Sequence, residues 1–135
     1  MGLDIASLTK QLGFIQRQSV GVTIDDKRII VYTKPLVAEC KGERFDIGQL
    51  KITLHLTSGS AAIKPFVGNC ERFPIPHVLD SGNLCQGDQE QAIRDDLMAG
   101  KVQQAYAKIL SVIMYPNPTD SYGWPLVKEY PRANS

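Results

Sequence analysis

Nothing long and apolar runs through this chain; no stretch approaches the roughly 18 residues that a membrane-spanning helix needs. Neither sign of charge prevails: 15 basic and 14 acidic residues leave a formal net charge of +1. That removes the electrostatic case for nucleic acid or for an anionic membrane as partner. Cysteine is scarce and odd in number, with Cys40, Cys70 and Cys85 showing no paired spacing. A disulfide framework is therefore not expected, and a reducing cytoplasm is. No basic stretch followed by an apolar core opens the chain, so no secretory leader is expected. Ala6 stands where a myristoylation signal after Met1-Gly2 wants Ser or Thr. Repeats, low-complexity tracts, glycine-rich phosphate loops and aromatics interleaved with basic residues are all missing, and nothing calls for a cofactor. With 135 residues, what remains is one ordinary domain over 1–135, large enough for a core without staples.

The hydrophobic pattern places the elements. Residues 4–18 read as an amphipathic helix, with Ile5, Leu8, Leu12 and Ile15 near one face and Asp4 as N-cap. From Val20 the texture is β. Val20–Ile24 and Arg28–Thr33 flank a turn at 25–27, and Pro35 ends or bends the second strand. Leu36–Cys40 and Arg44–Ile47 flank a hairpin turn at Lys41-Gly42-Glu43. Gln49–Thr57 alternates strictly, with Leu50, Ile52, Leu54 and Leu56 on one face and His55 on the wet one. Ala61–Val67 is a last strand, and Pro65 makes it an edge or irregular. Gln89–Met98 and Val102–Met114 then turn helical. Asp88 is the candidate N-cap of the first, and Ile93, Leu97 and Met98 share a side of it. In the second, Val102, Ala105, Tyr106, Ile109, Leu110 and Ile113 form an apolar stripe. Two prolines after Tyr115 stop the helix. The order is helix, antiparallel meander, long loop, helices: an α+β domain.

The long loop is the stretch around which the rest is organised. In Phe73-Pro74-Ile75-Pro76-His77-Val78-Leu79-Asp80-Ser81-Gly82-Asn83-Leu84-Cys85-Gln86-Gly87 two prolines stiffen the entry, Val78-Leu79 and Leu84 are apolar anchors, and 80–83 is turn chemistry. Cys85 stands between an anchor and a glycine, as a nucleophile on a braced loop should; the alternative is a small packed hydrophobe. Cys70, His77 and Cys85 lack the paired spacing and the fourth ligand of a structural zinc site. A Cys–His hydrolase built on Cys85 and His77 is open to the residue types, but no Asn or Asp is obviously placed to orient the histidine.

The order of elements together with the string from Pro74 to Gly87 resembles the ubiquitin-conjugating enzymes. Those have an N-terminal helix, a four-stranded antiparallel meander and a long loop with a His-Pro-Asn triplet, whose Asn precedes the nucleophilic Cys by eight residues. Here Ile75-Pro76-His77 falls where the triplet belongs, and Cys85 follows His77 by eight residues. Gly82-Asn83-Leu84-Cys85 is similar to the family's Gly-x-Ile/Leu-Cys. Tyr115-Pro116-Asn117-Pro118-Thr119-Asp120 is similar to the Asp-Pro-Asn-Pro-Asp-Asp that closes the family's central helix. The resemblance covers about residues 4–123, leaving 124–135 as a C-terminal tail. Three departures stand out. Ile75 replaces the triplet's His and His77 its Asn; the Trp shortly after the Cys is missing; and the C-terminus is shorter than in eukaryotic members. The short, helix-poor end and the Pro-His-Val loop look like the bacterial members, which occur in systems that attach ubiquitin-like proteins, some of them in phage defence.

The resemblance implies a transferase. Cys85 would take a ubiquitin-like C-terminus from an activating enzyme as a thioester and pass it to an amine of an acceptor protein. The triplet's Asn supports the catalytic loop and is placed to stabilise the oxyanion of aminolysis, a part that His77 would take as a hydrogen-bond donor. Asp120 matches the acid that positions the incoming lysine, and turn preference alone gives it a helix-stop role as well. Lys10 and Arg17 on the first helix are candidates for docking the activating enzyme. No cofactor or metal is implied. The alternative of another class is a non-catalytic member of the same fold that acts as a binding module or scaffold.

Overall fold

The longest strand, Glu43–His55, changes its inward parity halfway. Phe45 and Ile47 are buried in its first half, Leu50, Ile52 and Leu54 in its second. A strand keeps one face inward across such a switch only through an extra residue, a β-bulge. Gly48 supplies it. Its φ is +108°, and a Cβ there would lie 2.5 Å from the Val67 carbonyl oxygen and 3.0 Å from the Gly68 Cα. In the computed structural model, which describes residues 5–79, 81–84 and 88–133, this strand is the spine of the sheet.

In chain order the elements are α1 (Ile5–Arg17), β1 (Ser19–Asp25), β2 (Arg28–Thr33), β3 (Leu36–Cys40), β4 (Glu43–His55), β5 (Ala61–Val67), α2 (Asp88–Met98), α3 (Val102–Met114) and a single turn, α4 (Trp124–Val127). All strand pairs are antiparallel. β2 and β3 pair with successive halves of β4 in one register, from Arg28–His55 through Tyr32–Lys51 to Val37–Asp46 and Cys40–Glu43. They form one line, broken at Lys34-Pro35 level with the Gly48 bulge. The expected four-stranded meander is thus five strands in four lines. Thr33, almost fully buried, mends the break: its Oγ1 accepts the Leu50 N–H (2.9 Å) and its carbonyl accepts from the Gln49 amide (3.1 Å). Arg44–Ile47 and Gln49–Thr57, which read as separate runs, are one strand that ends at His55, with Leu56 and Thr57 in the turn beyond it; the bulge interrupts the alternation without interrupting the backbone.

Both tight hairpins use left-handed residues, Asp26 and Lys27 in one and Lys41 and Gly42 in the other. Such turns match the twist of the flanking strands. Pro65 falls on β5, where the neighbouring outward N–H, that of Ile63, points away from β4 to the Gly82 carbonyl (2.7 Å). A residue two positions on shares that edge, so its missing N–H costs no bond to β4.

The inward face of the sheet meets α2 and α3. Ile29, Val31, Leu50, Ile52, Leu54 and Ile63 pack into one core with Ile93, Leu97, Val102, Ala105, Tyr106, Ile109 and Ile113. Burying each large aliphatic contributes roughly 1.5–3 kcal/mol. Burial pushes the Tyr106 hydroxyl up to about 12. Helix ends depart from the periodic reading: Ile5 and Met98 are exposed, Leu8 and Leu12 half-buried, and only Ile15 of the α1 stripe is fully buried. Asp4 lies outside the described residues. Asp88 is the first residue of α2, and its side chain is outside them too. α1 is tied to α3 by Gln11, whose Oε1 accepts the Gln103 N–H (3.0 Å) and whose amide donates to the Gly100 carbonyl (3.0 Å). That satisfies an otherwise unpartnered N–H of the first turn of α3. Among the described residues no helix is long and apolar enough to cross a membrane.

The tail is part of the fold. Phe45 bridges Arg132, the Asp46 N–H donates to the Pro131 carbonyl (2.9 Å), and the Ala133 N–H donates to the Arg44 carbonyl (3.0 Å). The strap occupies the edge of β4 that β5 leaves free. Val127 and Tyr130 belong to the core.

Candidate active site

The segment after β5 leaves the sheet and comes back to it. Cys70, in a 3-10 turn at Asn69–Glu71, donates its S–H to the Gln49 carbonyl (3.2 Å). Ile75 and Pro76 are buried, and Val78 and Leu84, both nearly buried, bridge each other. Within that bridge the Leu79 N–H donates to Asn83 (2.8 Å) and the Gly82 N–H to Leu79 (2.8 Å). Gly82 sits at φ +94°, a conformation that glycine adopts without steric cost. Asn83 bridges Ala62, Gly82 accepts the Ile63 N–H, and the Lys64 ammonium donates to the Ser81 carbonyl (3.0 Å). The loop stem is thereby an added rung on the outer edge of β5. The expected nucleophile, Cys85, follows Leu84 directly in sequence and lies outside the described residues, as do Asp80, Gln86 and Gly87.

A second segment, the turn 115–123 after α3, folds against this loop. Pro116 is buried, and its carbonyl accepts the Cys40 S–H (3.3 Å). Asn117 Oδ1 accepts from the Thr119 N–H and hydroxyl, both at 2.9 Å. Asp120, half-buried, accepts the Tyr122 N–H on Oδ1 (2.8 Å), the helix-stop function that turn chemistry implies. A Cβ on Gly123 would lie 2.0 Å from the Asn117 carbonyl oxygen, so the turn closes only around glycine.

His77 joins the two segments. Its N–H donates to the Tyr122 carbonyl (2.8 Å), and its Nε2 accepts the Asn117 N–H (3.0 Å). The residue is left-handed, φ +60°, a conformation in which Asn, Asp and His are the enriched non-glycine residues. Burial pushes the imidazole pKa below the ordinary histidine value, and the Asp120 carboxylate pulls it partly back. The neutral ring has one acceptor nitrogen and one donor. With Nε2 accepting from Asn117, the proton is on Nδ1. The ring can donate a hydrogen bond, and it has no lone pair free to deprotonate a thiol.

The two described thiols are biased towards the protonated form. Burial pushes Cys40 up, with Lys41 opposing, and burial also pushes Cys70 up; both are buried, and the thiolate is the reactive form. Cys70 and His77, two of the three residues weighed as zinc ligands, are each engaged with protein groups. Among the described residues no cluster of three or more ligand side chains could hold a metal. Clefts of about 180 and 200 Å³ flank the loop, one under α2 beside Leu79, Asn83 and Ile93, the other along β5 beside Phe73 and Val78. Lys10 and Arg17 are exposed on α1.

Asn117 and Tyr130 are the contributors that sequence reasoning did not assign. Asn117 lies inside a recognised motif, but its backbone N–H is what matters. Tyr130 lies in a tail without periodicity, yet its hydroxyl reaches the Phe73 carbonyl (2.9 Å) and the Pro74 carbonyl (3.1 Å) at the loop entry. No family model matches the chain, and no curated protein or solved structure matches it either.

Proposed function

We propose that this chain is a ubiquitin-conjugating-like transferase. It carries a ubiquitin-like protein as a thioester on Cys85 and passes it to an acceptor amine, in a conjugation pathway of the bacterial type. The observation that carries the reading is the union of the loop 73–84 with the turn 115–123 through His77, across 40 residues of sequence. Those are the two segments whose motifs resemble the family, found independently along the chain. Their meeting in space supports one site with a nucleophile loop and an acceptor-side turn.

The chemistry follows from the groups present. Exchange of one thioester for another is nearly isoenergetic, so Cys85 needs access and position more than a strongly depressed pKa. Aminolysis builds charge on the thioester oxygen, and a donor aimed at that oxygen lowers the barrier. His77, with its proton on Nδ1, has the donor that such a role requires, and its Nε2 bond fixes the ring. Asp120, held in the turn by the Tyr122 N–H, would orient an incoming ammonium electrostatically. The same Nε2 bond weighs against the hydrolase reading, since it occupies the lone pair that a general base would use. The altered triplet favours the remaining alternative, a non-catalytic binding module of the same fold.

Mass spectrometry after incubation with an activating enzyme, ATP and a ubiquitin-like protein decides between the two. The expected result is a thiol-reducible adduct that is lost in Cys85→Ala and kept in Cys40→Ala and Cys70→Ala. A demonstrably charged activating enzyme that leaves no adduct would move the assignment to the binding module.

A further inference from the structure

We infer that Tyr130 is a positioning residue for the reactive loop, and that the C-terminal strap is the device through which it acts; the inference rests on the transferase reading above. Tyr130 is 2% exposed. Its one hydroxyl proton lies between two consecutive carbonyls, Phe73 and Pro74, at 2.9 and 3.1 Å. Its ring packs on Phe73 with centroids 5.2 Å apart. Pro74 cannot donate a hydrogen bond, and it opens the stiff Pro-Ile-Pro entry that delivers His77.

The other end of the strap is docked independently of the loop. Arg132 donates to Glu43 (2.9 Å) and lies over the Phe45 ring at 4.5 Å, and the backbone on either side pairs with β4. Tyr130 thus refers the loop entry to the spine of the sheet. His77 refers the far end of the same segment to the turn after α3. Between these two fixed points run only Ile75 and Pro76, both buried. Losing one end would let the segment pivot about the other, shifting the His77 donor and the loop stem that follows it.

The test compares wild type, Tyr130→Phe, which keeps the ring and deletes the hydroxyl, and Arg132→Ala, which loosens the strap at an exposed site. Hydrogen exchange is read at the His77, Val78 and Leu79 amides and at the Ile52 and Leu54 amides of the sheet. One net hydrogen bond corresponds to about a fivefold change in an opening equilibrium. In Tyr130→Phe the loop amides should therefore exchange about fivefold faster while staying faster than the sheet amides, the mark of local opening. Because that bond also holds the donor in place in the transition state, where its loss adds to the barrier, single-turnover discharge of the thioester should fall by up to a similar factor at saturating acceptor with KM unmoved, and Arg132→Ala should give a smaller effect of the same sign. Loop amides that exchange as in wild type, loop and sheet amides that exchange at one common rate, or an unchanged discharge rate would each overturn the inference. A wild-type chain that never forms a thioester would sink the transferase reading alone, and the exchange comparison would still decide what Tyr130 does.

Discussion

Replacing His77 by Ala, Gly and Asn in turn separates the two things this residue does. It accepts the Asn117 N–H on its ring, and it holds a left-handed backbone at φ +60°. The ring bond is worth about 1 kcal/mol net. Asn117 is exposed, so water solvates the freed N–H and no burial penalty is added. The backbone conformation costs a Cβ-bearing residue such as Ala about 1–2 kcal/mol relative to glycine. His77 already bears most of that cost, so Ala should lose about 1 kcal/mol for the ring bond and a few tenths more for the backbone, and a melting temperature roughly 3–7 °C lower follows for a domain of this size. Asn tolerates the conformation, but its amide is too short to reach as far as Nε2, so it should lose about 1 kcal/mol. Gly should lose least: it gives up the ring bond but relieves the strain, less about 0.5–1 kcal/mol of unfolded-state entropy. Urea unfolding gives the order, provided the m-values agree, and the Asn117 amide resonance reports the bond directly. An Ala variant as stable as Gly would refute the strain argument. An Asn117 resonance unmoved when the ring is removed would refute the clip, and with it the observation on which the functional proposal stands.

Two further outcomes follow from the same structure. Gly48→Ala combines a left-handed φ with a Cβ 2.5 Å from a backbone oxygen, and the nearest atoms it would meet are all main chain of residues 67–69, with no side-chain end to yield. Calorimetry should show a loss of about 3–4 kcal/mol, and a melting temperature within about 3 °C of wild type would mean that the bulge admits a side chain. The second outcome concerns pH. The folded pKa of His77 is depressed by burial, so below the unfolded value of about 6.5 the unfolded chain binds more protons. Stability from this group is fully present above that value and is lost as pH falls below it towards the folded pKa. Wild type should lose more stability than His77→Asn between pH 7.5 and pH 5.5 in paired thermal melts; equal losses would mean that His77 does not titrate differently on folding.

Most of the fold was legible because it is written locally. The strict alternation of Leu50, Ile52, Leu54 and Leu56 and the 3.6-residue stripe of α3 are each set by burial on one face, and all of these residues are buried except Leu110 and Leu56, which are half-buried, Leu56 in the turn after the strand. What was not legible is where two local patterns share a cause. Gly48 inverts the parity of β4, and Lys34-Pro35 inverts it in the neighbouring line at the same level. Each reads alone as the end of a strand. Only the pairing of β2 and β3 with the two halves of β4 shows a single bent sheet, and pairing is not a property of either segment. The helix ends misled for a different reason. Ile5 and Met98 continue the apolar period past the point where the sheet provides a surface to cover, so periodicity overstates the stripe by a residue at an end.

The candidate site divides along the same line. Its parts could be named from the chain because prolines, glycines and turn formers act on their own backbone: Gly82 and Asp120 occupy the kind of turn position that their chemistry implies. The contacts between the parts could not be named, because each joins a side chain to a distant main-chain group, and the main chain carries no sequence signal. Asn117 offers an N–H that almost any residue would offer. Phe73 and Pro74 offer carbonyls common to every residue. What can be read is the other half of each pair, a side chain able to fill the role. His77 accepts where only a ring nitrogen reaches, and Tyr130 donates where a Phe would pack equally well and bond nothing. A substitution that keeps shape and deletes the polar atom therefore tests such a site more sharply than alanine. Tyr130→Phe leaves the core filled and changes only the reference to which the loop is held.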